Sequence, residues 1–200
     1  MKDIDRARLF EILEKMDSAA KSQQRICVIG AAALILLGQP ARQTGDVDIW
    51  RPGSKLLDAE LREIAAAAGL AYNPTDYEPE GAYLQIINPG IVNLPEVDGD
   101  VWVTREQSRI LWQGQNITVV CPPPPIIAAA KLVRATDVDL DDVVYLIGAV
   151  GVTKRQITTA LTKFPEPDRQ FAKENIRLVE EMLNQAEQRQ RQRGRDGDQR

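Results

Sequence analysis

Apolar side chains recur at three- and four-residue spacing through the first twenty residues, with Phe10, Leu13, Met16 and Ala20 in one stripe, which predicts an amphipathic helix over 3–21. The pattern then tightens. "RICVIG" predicts a short buried strand ending at Gly30, and "AAALILLG" a helix stopped by Gly38 and Pro40. "DVDIW" (46–50) predicts the next strand. Ser54 is placed to cap a helix through "KLLDAELREIAAAA", and Gly69 to end it in the left-handed conformation. "AYLQIINP" predicts a third strand, and "ILWQGQNITVVC" a hairpin about Gly114.

Beyond Cys121 the pattern becomes helical throughout. "CPPPP" is a stiff connector whose last proline suits the first turn of a helix, "IIAAAKLVRA". "DLDDVVYLIGAV" predicts a second helix, and "KRQITTALTKF" a third behind a Thr153 to Gln156 capping box. "PEPD" interrupts before a long helix expected from about Arg169. The chain thus divides into an α/β domain at 1–121, a helical domain at 122–187 and a Gln/Arg tail expected to be disordered at 188–200. The fold class is α/β (α+β), a small mixed-sheet core followed by a C-terminal helical bundle.

Composition narrows the chemistry. The chain has 200 residues, 44% of them hydrophobic, enough to bury a core, and no histidine. That absence excludes histidine-based triads, most zinc enzymes and histidine phosphorelay, leaving carboxylates, Lys, Arg, hydroxyls and hard metal ions. Cys27 and Cys121 stand in apolar runs, as small buried thiols do. No apolar run approaches the roughly 18 residues of a membrane span, and the charged N-terminal stretch does not suit a signal peptide; a soluble, cytoplasmic protein is expected. Net charge is −4, and the last 13 residues, with five arginines and two aspartates, carry +3, so the rest carries −7. An acidic body argues against duplex DNA as partner.

Within "DVDIW", residues i and i+2 of a strand share a face, so Asp46 and Asp48 project side by side. Two ionised carboxylates so close repel unless a cation lies between them. Mg²⁺ suits the place, taking one or two carboxylates plus phosphate oxygens. Such pairs also occur as solvated strand ends. Sixteen residues before Asp46, "VIGAAAL" passes from strand to small residue to helix, and a helix N-terminus at Gly30 favours an anion such as phosphate. "ARQTGD" adds the Arg42 guanidinium and the Thr44 hydroxyl on the loop leading into the carboxylates.

On these residues the stretch "VIGAAALILLGQPARQTGDVDIW" resembles the nucleotidyltransferase superfamily that includes DNA polymerase beta, and most of all the minimal nucleotidyltransferases related to toxins of AbiE-type (type IV) toxin-antitoxin systems. "AAAKLVRATDVDLDDVVYLI" is similar to their lysine-then-aspartate helical segment, and the likeness covers roughly residues 25–147. The resemblance implies Mg²⁺-dependent transfer of a nucleoside monophosphate from an NTP to an acceptor hydroxyl of a tRNA or protein, and an antitoxin as partner. Asp46 and Asp48 would ligate the metal, Gly30, Ala31, Arg42 and Thr44 would contact the nucleotide, and Lys131 would face the phosphates with Asp139 and Asp142. The plain alternatives are a solvated helix edge for Lys131 and an N-cap for Asp139.

The pattern departs from the family in two places. Ala31 stands where relatives carry Gly or Ser. Gln85 in "YLQII" stands where a third carboxylate is expected, and a neutral amide neither accepts a proton as a base nor binds a second Mg²⁺ well. Asp98 or Asp100 in "EVDGD" are substitutes to consider, although such a run more often forms a turn. Trp50, Trp102 and Trp112 suit either core packing or base stacking. A rival reading follows: an inactive module of this fold that binds a nucleotide or a protein partner.

Overall fold

The computed structural model describes residues 4–40, 42–75, 81–92, 94, 95 and 107–197. They fall into two compact units: the chain through Val92 with the stretch ending at Pro123, and the chain from Pro124 on with Leu94 and Pro95. The content is α+β, with small sheets in the first unit and helices in the second. No helix of the described residues is long and apolar enough to cross a membrane.

In the first unit, Asp5 caps helix α1 (Arg6–Ala19), its carboxylate accepting from Arg8 N at 2.9 Å. The buried stripe is Leu9, Ile12, Leu13 and Met16. Of the expected stripe, Leu13, Met16 and Ala20 are buried, whereas Phe10 is half-buried under the Arg6 guanidinium and Leu9 and Ile12 fill the core in its place. There follow β1 (Gln24–Cys27), α2 (Gly30–Leu36), β2 (Asp46–Trp50), α3 (Asp58–Ala67), β3 (Ala71–Tyr72), β4 (Tyr83–Ile87), β5 (Arg109–Gln113) and β6 (Ile117–Cys121). Parallel β1 and β6, with β5 antiparallel to β6, make one three-stranded sheet; β4 between parallel β2 and β3 makes another. The two are joined where Val28 bridges Ile49 and Ile29 N donates to Asp48 O at 3.0 Å. Ile26, Val47, Ile49, Leu61, Ile64, Leu84 and Val119 form the core, none more than 1% exposed. Each contributes roughly 1.5–3 kcal/mol by leaving water.

Two local expectations are corrected. Ser54 does not cap α3, whose N-cap position is Leu57 without a side-chain bond. A single 3-10 turn, Arg51–Gly53, intervenes, and the Ser54 hydroxyl instead accepts from Cys27 N at 2.9 Å and donates to Trp50 O at 2.8 Å, fastening β1 to β2. Strand β3 was not expected, because two residues are too few to display an alternation. Gly69 ends the α3 region at φ +75°, as the sequence suggested. Cys27 and Cys121 are free buried thiols; burial pushes Cys121 up to about 12 and raises Cys27 further, so both behave as apolar filler.

The hairpin of β5 and β6 turns at Gly114, where α1 reaches it. The Asp17 carboxylate accepts from the backbone N–H groups of Gln115, Asn116 and Ile117 at 2.9, 2.8 and 2.7 Å. A Cβ at Gly114 would collide with that carboxylate, so glycine is required there.

The helical unit comprises α4 (Pro124–Arg134), α5 (Asp137–Gly148), α6 (Lys154–Leu161) and α7 (Glu166–Gly197). Pro124 and Pro125 open α4, where a missing N–H costs nothing. The Thr153 to Gln156 capping box stands as expected at α6. Between α4 and α5, Ala135 adopts φ +48°, a strained value for a residue with a side chain. Helix α7 continues to Gly197, through the stretch expected to be disordered, where Gln and Arg are good helix formers.

Asp17→Ala is expected to destabilise the α/β unit by about 1–2 kcal/mol, measured by urea denaturation. Burial opposes ionisation of Asp17, but the bonds from Gln115, Asn116 and Ile117 outweigh it and hold its carboxyl below the usual range. Its contribution is therefore complete above about pH 4 and is lost as pH falls through the lowered native value; the variant should show a flatter acid limb.

Candidate active site

Alternation along β2 buries Val47 and Ile49 and leaves Asp46 and Asp48 half-exposed on the opposite face. Trp50 shares their parity but is covered at the strand end, 4% exposed, with its ring where a Cβ on Gly53 would lie. It therefore packs in the core. Trp112 is half-buried, and Trp102 lies outside the described residues.

Asp46 is held at both oxygens. The Thr44 hydroxyl donates to Oδ1 at 2.5 Å, and the Tyr83 phenol donates to Oδ2 at 3.2 Å. Thr44 is itself fixed by a two-way backbone bridge to Ile4, at 2.6 and 3.1 Å. Burial, and then the neighbouring Asp46 charge, raise the Tyr83 phenol above its ordinary value, so it is a donor at neutral pH. Thr44, expected at a phosphate, thus has its hydroxyl on a carboxylate. Asp48 lies against Gly30: a Cβ built there would stand 2.7 Å from Asp48 Oδ2, and Gly30 has φ +63°. The need for glycine at the start of α2 is visible here as room for this carboxylate. Ala31 follows in the first turn of α2, and Arg42 is half-buried on the loop before Thr44.

Strand β4 faces this pair in strict register, Tyr83 beside Asp46 and Gln85 beside Asp48. Gln85, expected at the place of a third carboxylate, is the register partner of Asp48. Tyr83 was missed; its sharing a face with Gln85, two residues on, was the available signal. Asp98 and Asp100 lie outside the described residues. Among the described residues no three Asp, Glu or Cys side chains gather to hold a metal. Asp46 and Asp48 fit a hard cation that completes its coordination with phosphate oxygens and water, as Mg²⁺ does.

Within the helical unit, Lys131, Asp139 and Asp142 form a cluster of their own. All three are buried, at 6%, 0% and 1% exposed. Lys131 Nζ lies 3.0 Å from Asp139 Oδ1 and 2.7 Å from Asp142 Oδ2. Arg134 adds a bidentate pair to Asp139, both contacts 2.6 Å, and the Thr136 hydroxyl donates to its Oδ2 at 2.7 Å. Asp139 is not the N-cap of α5; Thr136 is, with Asp139 as its partner in a capping box. Burial alone would raise the Asp139 pKa, but hydrogen bonds from Arg134, Thr136 and Lys131 overcome it and hold the group far below the carboxylate range. The cluster joins the cationic last turn of α4 to the acidic first turn of α5, each charge at the favourable end of its helix.

Residues 7–155 match the family described as "Nucleotidyltransferase of unknown function (DUF6036)". No curated protein and no solved structure matches the chain.

Asp139→Ala would leave Lys131 with one carboxylate and remove a cap. A loss of roughly 3–5 kcal/mol from the helical unit is expected, read as an earlier far-UV dichroism transition in denaturant. An unchanged transition would show that the buried cluster does not hold the α4–α5 corner.

Proposed function

The chain belongs to this nucleotidyltransferase family, and on that premise we propose that it transfers a nucleoside monophosphate from an NTP to a hydroxyl of a tRNA or protein, with Asp46 and Asp48 holding Mg²⁺. The observation that carries the proposal is the carboxylate pair on one face of β2, one member fixed at both oxygens and the other seated against Gly30. Bound there with the triphosphate, Mg²⁺ supplies charge neutralisation for the phosphates and the departing pyrophosphate. Asp46 and Asp48 orient it through oxygens that are in place beforehand, which spares reorganisation during the reaction. Arg42, on the loop before them, is the proposed cationic contact for a phosphate. In the transfer, the acceptor hydroxyl oxygen attacks the α-phosphorus in line and loses its proton to solvent water, the bond from the α-phosphorus to the oxygen bridging it to the β-phosphate breaks, and pyrophosphate leaves with that electron pair. Tyr83 and Gln85 stay neutral and contribute donors instead of a base. The AbiE-type likeness, with an antitoxin as partner, belongs to the same proposal.

Gln85 beside Asp48 favours a second reading, a nucleotide-binding module without transfer. Purified chain incubated with Mg²⁺, each α-labelled NTP and total tRNA or cell lysate separates the two. The enzyme reading expects label on a macromolecule, reduced roughly 100-fold or more in Asp48→Ala. Mg²⁺-dependent NTP binding without label transfer would favour the module.

A further inference from the structure

We propose that Thr44 and Tyr83 form a hydroxyl clamp that positions Asp46 for divalent-cation binding, so that two neutral donors prepare a carboxylate beside which no third acid stands on β4. The proposal rests on the reading of Asp46 and Asp48 as a cation site and names the residues that orient it.

A half-exposed aspartate in water samples several rotamers, and a cation must select one of them. Here each Asp46 oxygen receives one hydroxyl, Thr44 at 2.5 Å and Tyr83 at 3.2 Å. An ionised carboxylate has about four lone-pair sites, so two donors fix the plane and leave each oxygen able to ligate. Both donors come from backbone that is itself held. Thr44 is bridged to Ile4, and Tyr83 is the register partner of Asp46, with its N–H donating to Gly45 O at 3.3 Å. The clamp therefore does not depend on a ligand for its geometry. Its neutrality matters as well: the hydroxyls satisfy Asp46 without cancelling its charge, which stays available to a cation. A Lys or Arg in either place would compete for that role. Along β4 the two residues beside the carboxylates are Tyr83 and Gln85, neither of them an anion.

Mn²⁺ alone, titrated into the full chain and followed by electron paramagnetic resonance of the free ion, tests the clamp. Wild type should bind one Mn²⁺ at a site lost in Asp46→Asn. Tyr83→Phe and Thr44→Val should weaken that binding by about 10-fold or more, the range for groups that orient a metal ligand, while Thr44→Ser, which keeps the hydroxyl, stays close to wild type. Thermal midpoints recorded alongside separate positioning from simple loss of fold. Should Tyr83→Phe fail to fold, the contrast of Thr44→Val with Thr44→Ser decides. Wild-type affinity in both Tyr83→Phe and Thr44→Val overturns the clamp while leaving the carboxylate site standing. Mn²⁺ binding that is absent, or indifferent to Asp46→Asn, overturns the cation site and the clamp with it.

Discussion

Two carboxylates on alternate residues of one strand repel each other, and much of the α/β unit is arranged around keeping them there. Asp46 needs donors at both oxygens and receives them from Thr44 and Tyr83. Asp48 needs space, which only glycine at the head of α2 leaves. The backbone beneath them is tied down by the β2–β4 register and by the Ile29 bond to Asp48 O. Buried Val47 and Ile49 turn the pair outward, so the apolar half of the strand determines where the charged half points.

The helical unit meets the same difficulty with the opposite solution. Asp139 and Asp142 are also on one side of their element, but they are buried, and burial of a charge demands a counter-charge. Lys131 serves both, and Arg134 closes on Asp139. The contrast is chemical. Asp46 is held by neutral hydroxyls, whereas Asp139 is held by cationic Lys131 and Arg134 at the α4–α5 corner.

What could be read from the sequence was what depends on near neighbours. The helices, the β2 alternation, the hairpin at Gly114, the Gly69 terminus and the Thr153 cap all follow from spacing within a few residues, and so does the pairing of Asp46 with Asp48. Features that needed distant partners were not legible. Ser54 has the composition of a helix cap, yet Cys27 N, 27 residues away, claims its hydroxyl. Tyr83 went unmarked in the sequence, and only register places it beside Asp46, 37 residues earlier. Lys131 was expected to face phosphates, with a solvated helix edge as the plain alternative, and only the packing of α5 against α4 shows it to be buried. The strand that carries Gln85 was legible because "YLQII" reads as a strand from its own residues.

The Asp17 contact with the hairpin also bears on how the molecule is made. It joins α1 to residues about a hundred positions later, and β1 pairs in parallel with β6 across a similar separation, Gln24 against Ile117. Contacts that long are slow to form, because the chain must close a large loop before either bond rewards it. During synthesis, α1 and β1 leave the ribosome long before the strand that completes their sheet. Until Ile117 to Cys121 emerges, β1 offers an open edge of unpaired backbone groups on the side that β6 will cover. Premature release or truncation upstream of β6 would thus yield a species with that edge exposed to its neighbours.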